Sequence, residues 1–177
     1  MSANHAAFNL IFRFVENYVS PIAGRISSQR HVMAIRDGFI SAMPFMIVGS
    51  FLLVFAYPPF SPDTTWGFAR AWLDMAKQFE GQILTPFDMT MGVMSLYICA
   101  AIAYNLGKHY VKTHQLDPFM CAMLSLMAFL LVAAPKTKGA LPVDSLGGTG
   151  IFTAILVAIY CVEMMRFLKA HNIGIRL

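Results

Sequence analysis

An uncharged stretch near the amino terminus limits the possible folds more than any other feature. No charged side chain occurs from Gly38 to Pro62, and a basic segment that ends in Asp37 precedes this run. At about 1.5 Å rise per residue the run forms a helix of roughly 37 Å, longer than the roughly 30 Å hydrocarbon core of a bilayer. A helix that is apolar on every face lies in a large protein core or in a membrane. We therefore predict a transmembrane span over 38–58, with a packing kink at Pro44.

Three further runs of low charge are long enough to cross a bilayer, for which about 18 apolar residues suffice. They predict spans over 89–107, 118–135 and 147–168. The composition agrees, because 58% of the residues are apolar and 12% are charged. The expected fold class is all-α, a polytopic transmembrane helix bundle of about four spans with amphipathic interfacial helices. The net charge of +4 is then no sign of a nucleic-acid partner, since basic residues in membrane proteins mark the cytoplasmic side.

The positions of lysine and arginine predict the orientation of the chain. With four spans, nine basic residues fall on one side and four on the other. The side with more basic residues faces the cytoplasm, so both termini are expected there, and no signal-peptide pattern precedes the first span. The nine are Arg13, Arg25, Arg30, Arg36, Lys108, Lys112, Arg166, Lys169 and Arg176, and the four are Arg70, Lys77, Lys136 and Lys138.

Two segments outside the spans have amphipathic patterns. Apolar residues at helical spacing predict a helix that ends at Pro21, either in the inner membrane interface or packed on the protein. A second pattern predicts a short helix on the outer membrane surface, and the Gly- and Pro-rich stretch 135–150 is expected to be irregular. The first stripe is Phe8, Ile11, Phe12, Val15, Val19 and Ile22, and the second is Phe68, Trp72, Met75 and Phe79.

The polar and sulfur-containing residues form no recognisable catalytic or metal-binding pattern. His109 and His114 are spaced poorly for a shared helix face and lack a third ligand, which favours a solvated cytoplasmic turn. Cys99, Cys121 and Cys161 fall in different spans and are expected to be reduced and buried. Glu163 lies in the last predicted span, and an ion pair with Arg166 near the helix end explains it better than a functional role.

Small residues recur at a spacing that favours close helix packing. Gly147, Gly148 and Gly150 do not match a phosphate-binding loop. Residues four apart share a helix face, and small ones let two helix backbones approach. Two such stripes predict helix crossings: Gly150, Ala154 and Ala158 in the last span, and Ser95, Cys99, Ala103 and Gly107 in the second.

Three segments resemble one known family. They are "HVMAIRDGFISAMPFMIVGSFLLVF", "MGVMSLYICAAIAYNLG" and "LVAIYCVEMMRFL". Together they resemble the enzyme IIC component of bacterial sugar phosphotransferase systems, in the lactose, cellobiose and diacetylchitobiose group. The run from His31 to Pro44 is the most specific part. The resemblance covers the N-terminal part of that family, whose members are more than twice as long.

The resemblance implies a permease in the bacterial plasma membrane for a β-linked disaccharide. A separate cytoplasmic IIB protein, phosphorylated on cysteine, would phosphorylate the sugar as it emerges, so the chain is a transport subunit rather than an enzyme. Family members are homodimers, and residues 1–177 correspond to their N-terminal scaffold. The family's sugar-contacting His and Glu lie in the C-terminal part, so neither His31 nor Glu163 is assigned that role. We predict no catalytic, sugar-binding or metal-binding residue and no cofactor in this chain.

Two other classes stay open at the level of sequence. A small substrate-binding subunit of a vitamin transporter would have a similar size and apolar content, but it needs a pocket with several polar groups. A structural membrane-assembly protein would need no pocket at all. In all three classes the helices are surrounded by the lipid bilayer. The permease, the vitamin-transporter subunit and the assembly protein differ in what the bundle carries.

Overall fold

Helices account for nearly all of the chain in the structure, a computed structural model that describes residues 13, 15–133 and 143–171. In this part of the chain there is no strand. Two π-helical turns, Val15–Val19 and Asp88–Gly92, and one 3₁₀ turn, Gly148–Gly150, join the α-helices. The α-helices are α1 (Ser20–Ser27), α2 (Arg30–Ala56), α3 (Gly67–Phe87), α4 (Met94–His114), α5 (Pro118–Ala133), α6 (Val143–Leu146) and α7 (Ile151–Ala170).

Helix α4 is the centre of the bundle, because α2, α5 and α7 all pack against it. Its buried face extends along its whole length, and its core partners come from all three neighbours. This face includes the small-residue stripe that the sequence predicts, and all four members of that stripe are buried. The buried residues of α4 are Ser95, Ile98, Cys99, Ile102, Ala103, Leu106, Gly107 and Tyr110.

Helices α2 and α4 run antiparallel and approach closely. A Cβ atom at Gly38 would lie 2.9 Å from the backbone nitrogen of Ile102, so only glycine fits at this crossing. Further along, the rings of Phe45 and Tyr97 stack with centroids 4.4 Å apart. Because lipid tails are as apolar as leucine, such close packing is a main source of attraction between membrane helices.

The other two crossings of α4 also use small residues, as the sequence predicts. Ala154 and Ala158 of α7 are fully buried. A Cβ atom at Gly107 would lie 3.0 Å from the Cα atom of Pro118, where α5 begins. At Gly150, an added Cβ would lie 3.0 Å from the Ser95 hydroxyl oxygen. The predicted close packing is therefore confirmed at both stripes.

The outer faces of the helices are strongly apolar, which suits a bilayer. Large hydrophobic side chains stay exposed along α2, α5 and α7, among them Phe51, Leu131 and Phe152. Among the described residues, three helical segments are long and apolar enough to cross a membrane: Arg30–Ala56, Gly67–His114 and Gly148–Ala170. The predicted span 118–135 coincides with α5, whose 16 described residues fall short of that length. The count of four crossings therefore stays a prediction.

Two helices extend beyond the segments that the sequence pattern marks. Helix α2 begins at Arg30, eight residues before the predicted span over 38–58, because a helix can continue past the apolar region into polar surroundings. The bounds of the span itself stay a prediction. The segment expected to form a short helix is α3, which has 21 residues. Its first turns are held on the end of α2 by a ring contact of Trp72 with Phe55 and by the hydrogen bond that the Trp72 indole donates to the Phe55 carbonyl oxygen. Phe60 of the connecting loop adds a second ring contact to Trp72. Its predicted place on the outer membrane surface stays a prediction.

The stretch 135–150 is also more regular than predicted where the structure describes it. It contains the short helix α6 and the 3₁₀ turn Gly148–Gly150. The hydroxyl of Ser95 donates a hydrogen bond to the carbonyl oxygen of Leu146, which ties this turn to α4. Helix α2 continues through Pro44 to Ala56.

The prediction that a helix ends at Pro21 is wrong as well. Pro21 lies in the first turn of α1. Backbone N–H groups in the first turn have no acceptor within the helix, so proline, which lacks an N–H group, is tolerated there. Phe8, Ile11 and Phe12 of the predicted stripe lie outside the described residues. No residue of α1 is buried, so packing of this helix on the described part of the chain finds no support.

Replacing Gly38 by alanine tests the crossing of α2 and α4. The added methyl group meets backbone atoms of Ile102, so we expect Gly38→Ala to lower the free energy of unfolding by about 1–3 kcal/mol, as overpacking does. The matched control is Gly81→Ala in α3, where an added Cβ meets nothing within 4 Å. That change should be neutral or stabilising by up to about 1 kcal/mol. Unfolding of the purified chain in detergent, followed by circular dichroism, measures both, and equal stability of the two variants would contradict the close crossing.

A polar cluster at one end of the bundle as the candidate functional site

Four polar side chains from three helices meet at one end of the bundle. We call His31, Tyr110, Glu163 and Arg166 the Glu163 cluster. His31 comes from the first turn of α2, Tyr110 from the last turns of α4, and the other two from α7. The antiparallel arrangement of α2 and α4 brings the start of one helix beside the end of the other.

The Glu163 carboxylate is the acceptor that joins the cluster. Its Oε1 atom lies 2.7 Å from the Tyr110 hydroxyl, which donates, and 3.0 Å from Nε2 of His31. Its Oε2 atom lies 3.0 Å from Nη2 of Arg166. Arg166 also donates from Nη1 to the Tyr110 hydroxyl oxygen at 3.1 Å. One carboxylate thus bonds directly to a side chain on each of the three helices.

Two arginine side chains also lie over the ring of Tyr110. The guanidinium carbon of Arg166 lies 5.1 Å from the centroid of the Tyr110 ring, and that of Arg30 lies 5.7 Å away. Both distances are within the range of cation–π attraction. The Glu163 side chain is 26% exposed, so its hydrogen bonds are only partly screened by solvent. The geometry therefore favours a firm connection of three helix ends.

The chemistry of the cluster is that of a structural tie. Hydrogen bonds to a charged group are stronger than neutral ones, and both oxygens of Glu163 are already engaged. The four side chains bond to one another across three helices, so this geometry connects the helix ends.

The prediction of an ion pair between Glu163 and Arg166 is confirmed. The sequence analysis missed that His31 and Tyr110 join it, because His31 and Glu163 lie 132 positions apart. One signal for Tyr110 was present, since it follows Gly107 by three positions and so extends the small-residue stripe of α4. Nothing comparable points to His31.

The other candidate residues behave mostly as expected. Cys99, Cys121 and Cys161 are free and buried, which confirms that prediction. His109 and His114 lie inside the last turns of α4, so the prediction of a turn at these positions is wrong. The helix continues to His114 because Gln115 ends it in a left-handed conformation with φ of 52°. In the part of the chain that the structure describes, no three His, Cys, Asp or Glu side chains form a metal-binding group.

Two open pockets lie away from the Glu163 cluster. One, of about 270 Å³, lies between the end of α2 and α3, where the exposed Tyr57 hydroxyl donates to Glu80 Oε1 at 3.2 Å. The other, of about 310 Å³, lies between the end of α5 and the turn at Gly150. The first pocket is lined by Lys77 and Glu80 as well as Tyr57. The second has the hydroxyl-bearing side chains Ser145, Thr149 and Thr153 among apolar residues.

The long helices with apolar outer faces define a helical membrane protein, and comparison with known proteins narrows the class. Residues 36–177 match the family model described as "Phosphotransferase system, EIIC". The chain is 34% identical to the cellobiose-specific EIIC component of Geobacillus stearothermophilus, over 93% of this chain and 38% of that protein. It is 32% identical to the lactose-specific EIICB component of Streptococcus mutans, over 89% of this chain and 27% of that protein.

A solved structure agrees with these relatives. The crystal structure of the transporter ChbC, the IIC component of the N,N'-diacetylchitobiose-specific phosphotransferase system, superposes with a TM-score of 0.75 at 33% identity. The chain therefore belongs to the EIIC family of the phosphotransferase system. It spans about two fifths of the length of ChbC and of the cellobiose-specific relative. The family assignment decides against a vitamin-transporter subunit and against an unrelated membrane-assembly protein.

A double-mutant cycle tests the role of the Glu163 cluster. Glu163→Gln keeps the shape of the side chain but removes the charge, so we expect a loss of about 1.5–3 kcal/mol in the free energy of unfolding. Tyr110→Phe removes one hydroxyl and should cost about 1 kcal/mol. Because the two side chains share a hydrogen bond, the double variant should lose less than the sum by roughly 0.5 kcal/mol or more.

The matched control for this cycle is Glu80→Gln, since Glu80 also accepts a hydrogen bond from a tyrosine but is exposed. That change should leave stability nearly unaltered. Unfolding titrations of the purified chain with a denaturing detergent measure all four variants. If the losses in free energy of unfolding caused by Glu163→Gln and Tyr110→Phe are strictly additive in the double variant, the hydrogen bond between the two side chains does not stabilise the bundle.

Proposed function

We propose that this chain is the N-terminal scaffold of an EIIC permease that takes up a β-linked disaccharide by a phosphoenolpyruvate-dependent phosphotransferase system. The single observation that carries the proposal is the extent of the match. Relatives described as cellobiose- and lactose-specific components, and the diacetylchitobiose transporter ChbC, align with about nine tenths of this chain. The chain aligns with a minor part of each of them, so it supplies the scaffold and needs the remaining part of an EIIC protein for transport.

The interior of the described bundle supports the view that the sugar is bound elsewhere. Its buried polar side chains are Ser95 and Ser125, and the rest of the core is apolar apart from the Tyr110 hydroxyl, which bonds to Glu163. A disaccharide presents many hydroxyl groups, and a specific site must meet them with buried polar partners. Each hydroxyl left without a partner costs roughly 1–3 kcal/mol. The bundle therefore has the composition of a scaffold.

The proposed partners follow from the same family assignment. The Streptococcus mutans relative is named an EIICB component, which supports a IIB protein as the phosphoryl donor to the sugar and leaves this chain without a catalytic step of its own. We propose that the chain is a multi-pass protein of the bacterial plasma membrane and forms a homodimer. The apolar outer faces of α2, α5 and α7 offer surface for lipid, for a second copy and for the C-terminal part.

Reconstitution of uptake tests the scaffold role. The 177-residue chain is expressed in a strain that lacks its own disaccharide permease and keeps the soluble phosphotransferase proteins. It is expressed alone, and together with the C-terminal part of the cellobiose-specific relative. We expect accumulation of labelled cellobiose or diacetylchitobiose only with both parts, because the polar groups for the sugar lie outside this chain.

The variants of Gly38 and Gly81 give the matched comparison for uptake. Gly38→Ala should reduce the uptake that the two parts support together, since it disturbs the crossing of α2 and α4, and Gly81→Ala should not. Robust uptake by the 177-residue chain alone would refute the scaffold role. Absence of uptake with both parts, when both are present and correctly folded in the membrane, would also contradict it.

Reporter fusions test the proposed orientation with both termini in the cytoplasm. The Glu163 cluster places the start of α2 and the ends of α4 and α7 at one end of the bundle, and the basic residues Arg30, Lys112 and Lys169 lie near that end. By the positive-inside rule this end faces the cytoplasm. Alkaline phosphatase should be inactive when fused after Leu177 and active when fused near Lys77. The reverse pattern would overturn the orientation.

A further inference from the structure

Helix α1 carries an apolar stripe that no described part of the chain covers. Its two isoleucines, Ile22 and Ile26, are 59% and 55% exposed. The preceding π-helical turn continues the stripe with Val15 and Val19, each 45% exposed. We call Val15, Val19, Ile22 and Ile26 the N-terminal stripe. Their spacing of three or four positions puts them on one side of a helix.

The opposite side of α1 is small and polar. Ser20, Gly24 and Ser27 lie there, and an added Cβ atom at Gly24 would meet nothing within 4 Å. The last carbonyl groups of the helix already have partners, since the Ser27 hydroxyl donates to the carbonyl oxygen of Gly24 at 3.1 Å and the Ser28 hydroxyl to that of Arg25 at 3.0 Å. A helix with this division suits the boundary between water and an apolar phase.

The chain changes direction between α1 and α2. Gln29 has an extended backbone with ψ of 135°, so α1 does not continue along the axis of the membrane-spanning α2. It joins α2 next to His31, at the end of the bundle where the Glu163 cluster lies. Helix α1 therefore leaves the bundle at its end, where a membrane surface would lie.

Exposed basic residues accompany the stripe. Arg13, Arg25, Arg30 and Arg36 all lie within or beside α1 and the start of α2, and all are exposed. Arg36 pairs with Asp37, whereas within the described residues no ion pair engages Arg25 or Arg30. Four or more basic residues beside a membrane-spanning helix are typical of segments that bind anionic lipids.

We propose that α1 is an interfacial anchor, whose N-terminal stripe lies in the acyl boundary of the adjacent leaflet while Arg25 and Arg30 bind the phosphates of anionic lipid headgroups. A bilayer fits this surface better than a protein partner. Four aliphatic side chains fall well short of the roughly 1,000 Å² that a specific protein interface buries. On α2, the apolar side chains of Ile40 and Met43 are exposed as well.

This anchor is independent of sugar transport. Helix α1 precedes residue 36, where the match to the EIIC family model begins. The inference therefore rests on the exposure, the spacing and the charges of α1 alone. Its failure would leave the proposed scaffold role as it stands.

Spin-label accessibility in vesicles tests the anchor on the full 177-residue chain. Cysteines are introduced singly as Ser20→Cys, Ile22→Cys, Gly24→Cys and Ile26→Cys, and the parent chain measures background labelling of its three buried cysteines. Collisions with oxygen, which concentrates in lipid, are compared with collisions with a water-soluble nickel chelate. In vesicles of phosphatidylcholine with phosphatidylglycerol, the oxygen-to-nickel ratio should be higher at 22 and 26 than at 20 and 24.

The headgroup contribution has its own variant and control. Replacing Arg25 and Arg30 together by glutamine should lower the ratio at position 26 toward that at position 24 in vesicles with phosphatidylglycerol. In vesicles of phosphatidylcholine alone, the ratio at position 26 should be lowered in the same way even when Arg25 and Arg30 are present. The control pair Arg70→Gln and Lys77→Gln, on α3, should leave the ratio at position 26 unchanged.

Three results would overturn the proposal. High nickel collision at all four positions would place α1 in water. Protection of positions 22 and 26 from both reagents would show that protein covers the stripe. A high ratio at 22 and 26 that does not change with lipid charge or with the arginine substitutions would remove the role of anionic headgroups.

Discussion

Helices α2, α5 and α7 all pack closely against α4. In a bilayer there is little hydrophobic force between helices, so packing at short distance must supply the attraction. At Gly38 and Gly107 the neighbouring backbone is so near that a single methyl group would meet it, and Ala154 and Ala158 are fully buried at the third crossing. Larger residues at these positions would separate the helices and weaken every contact that α4 makes.

The Glu163 cluster forms only because the helices pack closely, and it determines which helix ends lie together. Small residues allow helices to approach, but they do not by themselves fix which ends meet. A carboxylate that accepts from Tyr110, and that lies within hydrogen-bonding distance of His31 and Arg166, joins the start of α2 to the ends of α4 and α7. At the opposite end of α2 the contacts are mainly between aromatic rings, around Trp72. The two ends of the bundle therefore differ in chemistry.

Features that depend on local pattern could be predicted from the sequence, and features that depend on tertiary contact could not. The apolar runs predict the helical bundle, and the spacing of Ser95, Cys99, Ala103 and Gly107 predicts the buried face of α4. The i, i+3 pair of Glu163 and Arg166 is visible in the same way. The length of α3 was underestimated because the ring contacts that hold it come from a separate helix and loop. The partnership of His31 with Glu163 has no local signal at all.

We expect this stretch of an EIIC protein to assemble the packing around α4 without the remainder of the family's length. The native cysteines offer the most direct measurement, since Cys99, Cys121 and Cys161 are buried on α4, α5 and α7. The isolated chain in mild detergent is mixed with a thiol-reactive fluorophore while the temperature is raised. We expect no reaction of the three cysteines at low temperature and a cooperative rise on heating, whereas Lys112→Cys at the exposed end of α4 should react at once. Immediate reaction of Cys99 in the unheated chain would show that the packing around α4 has not formed.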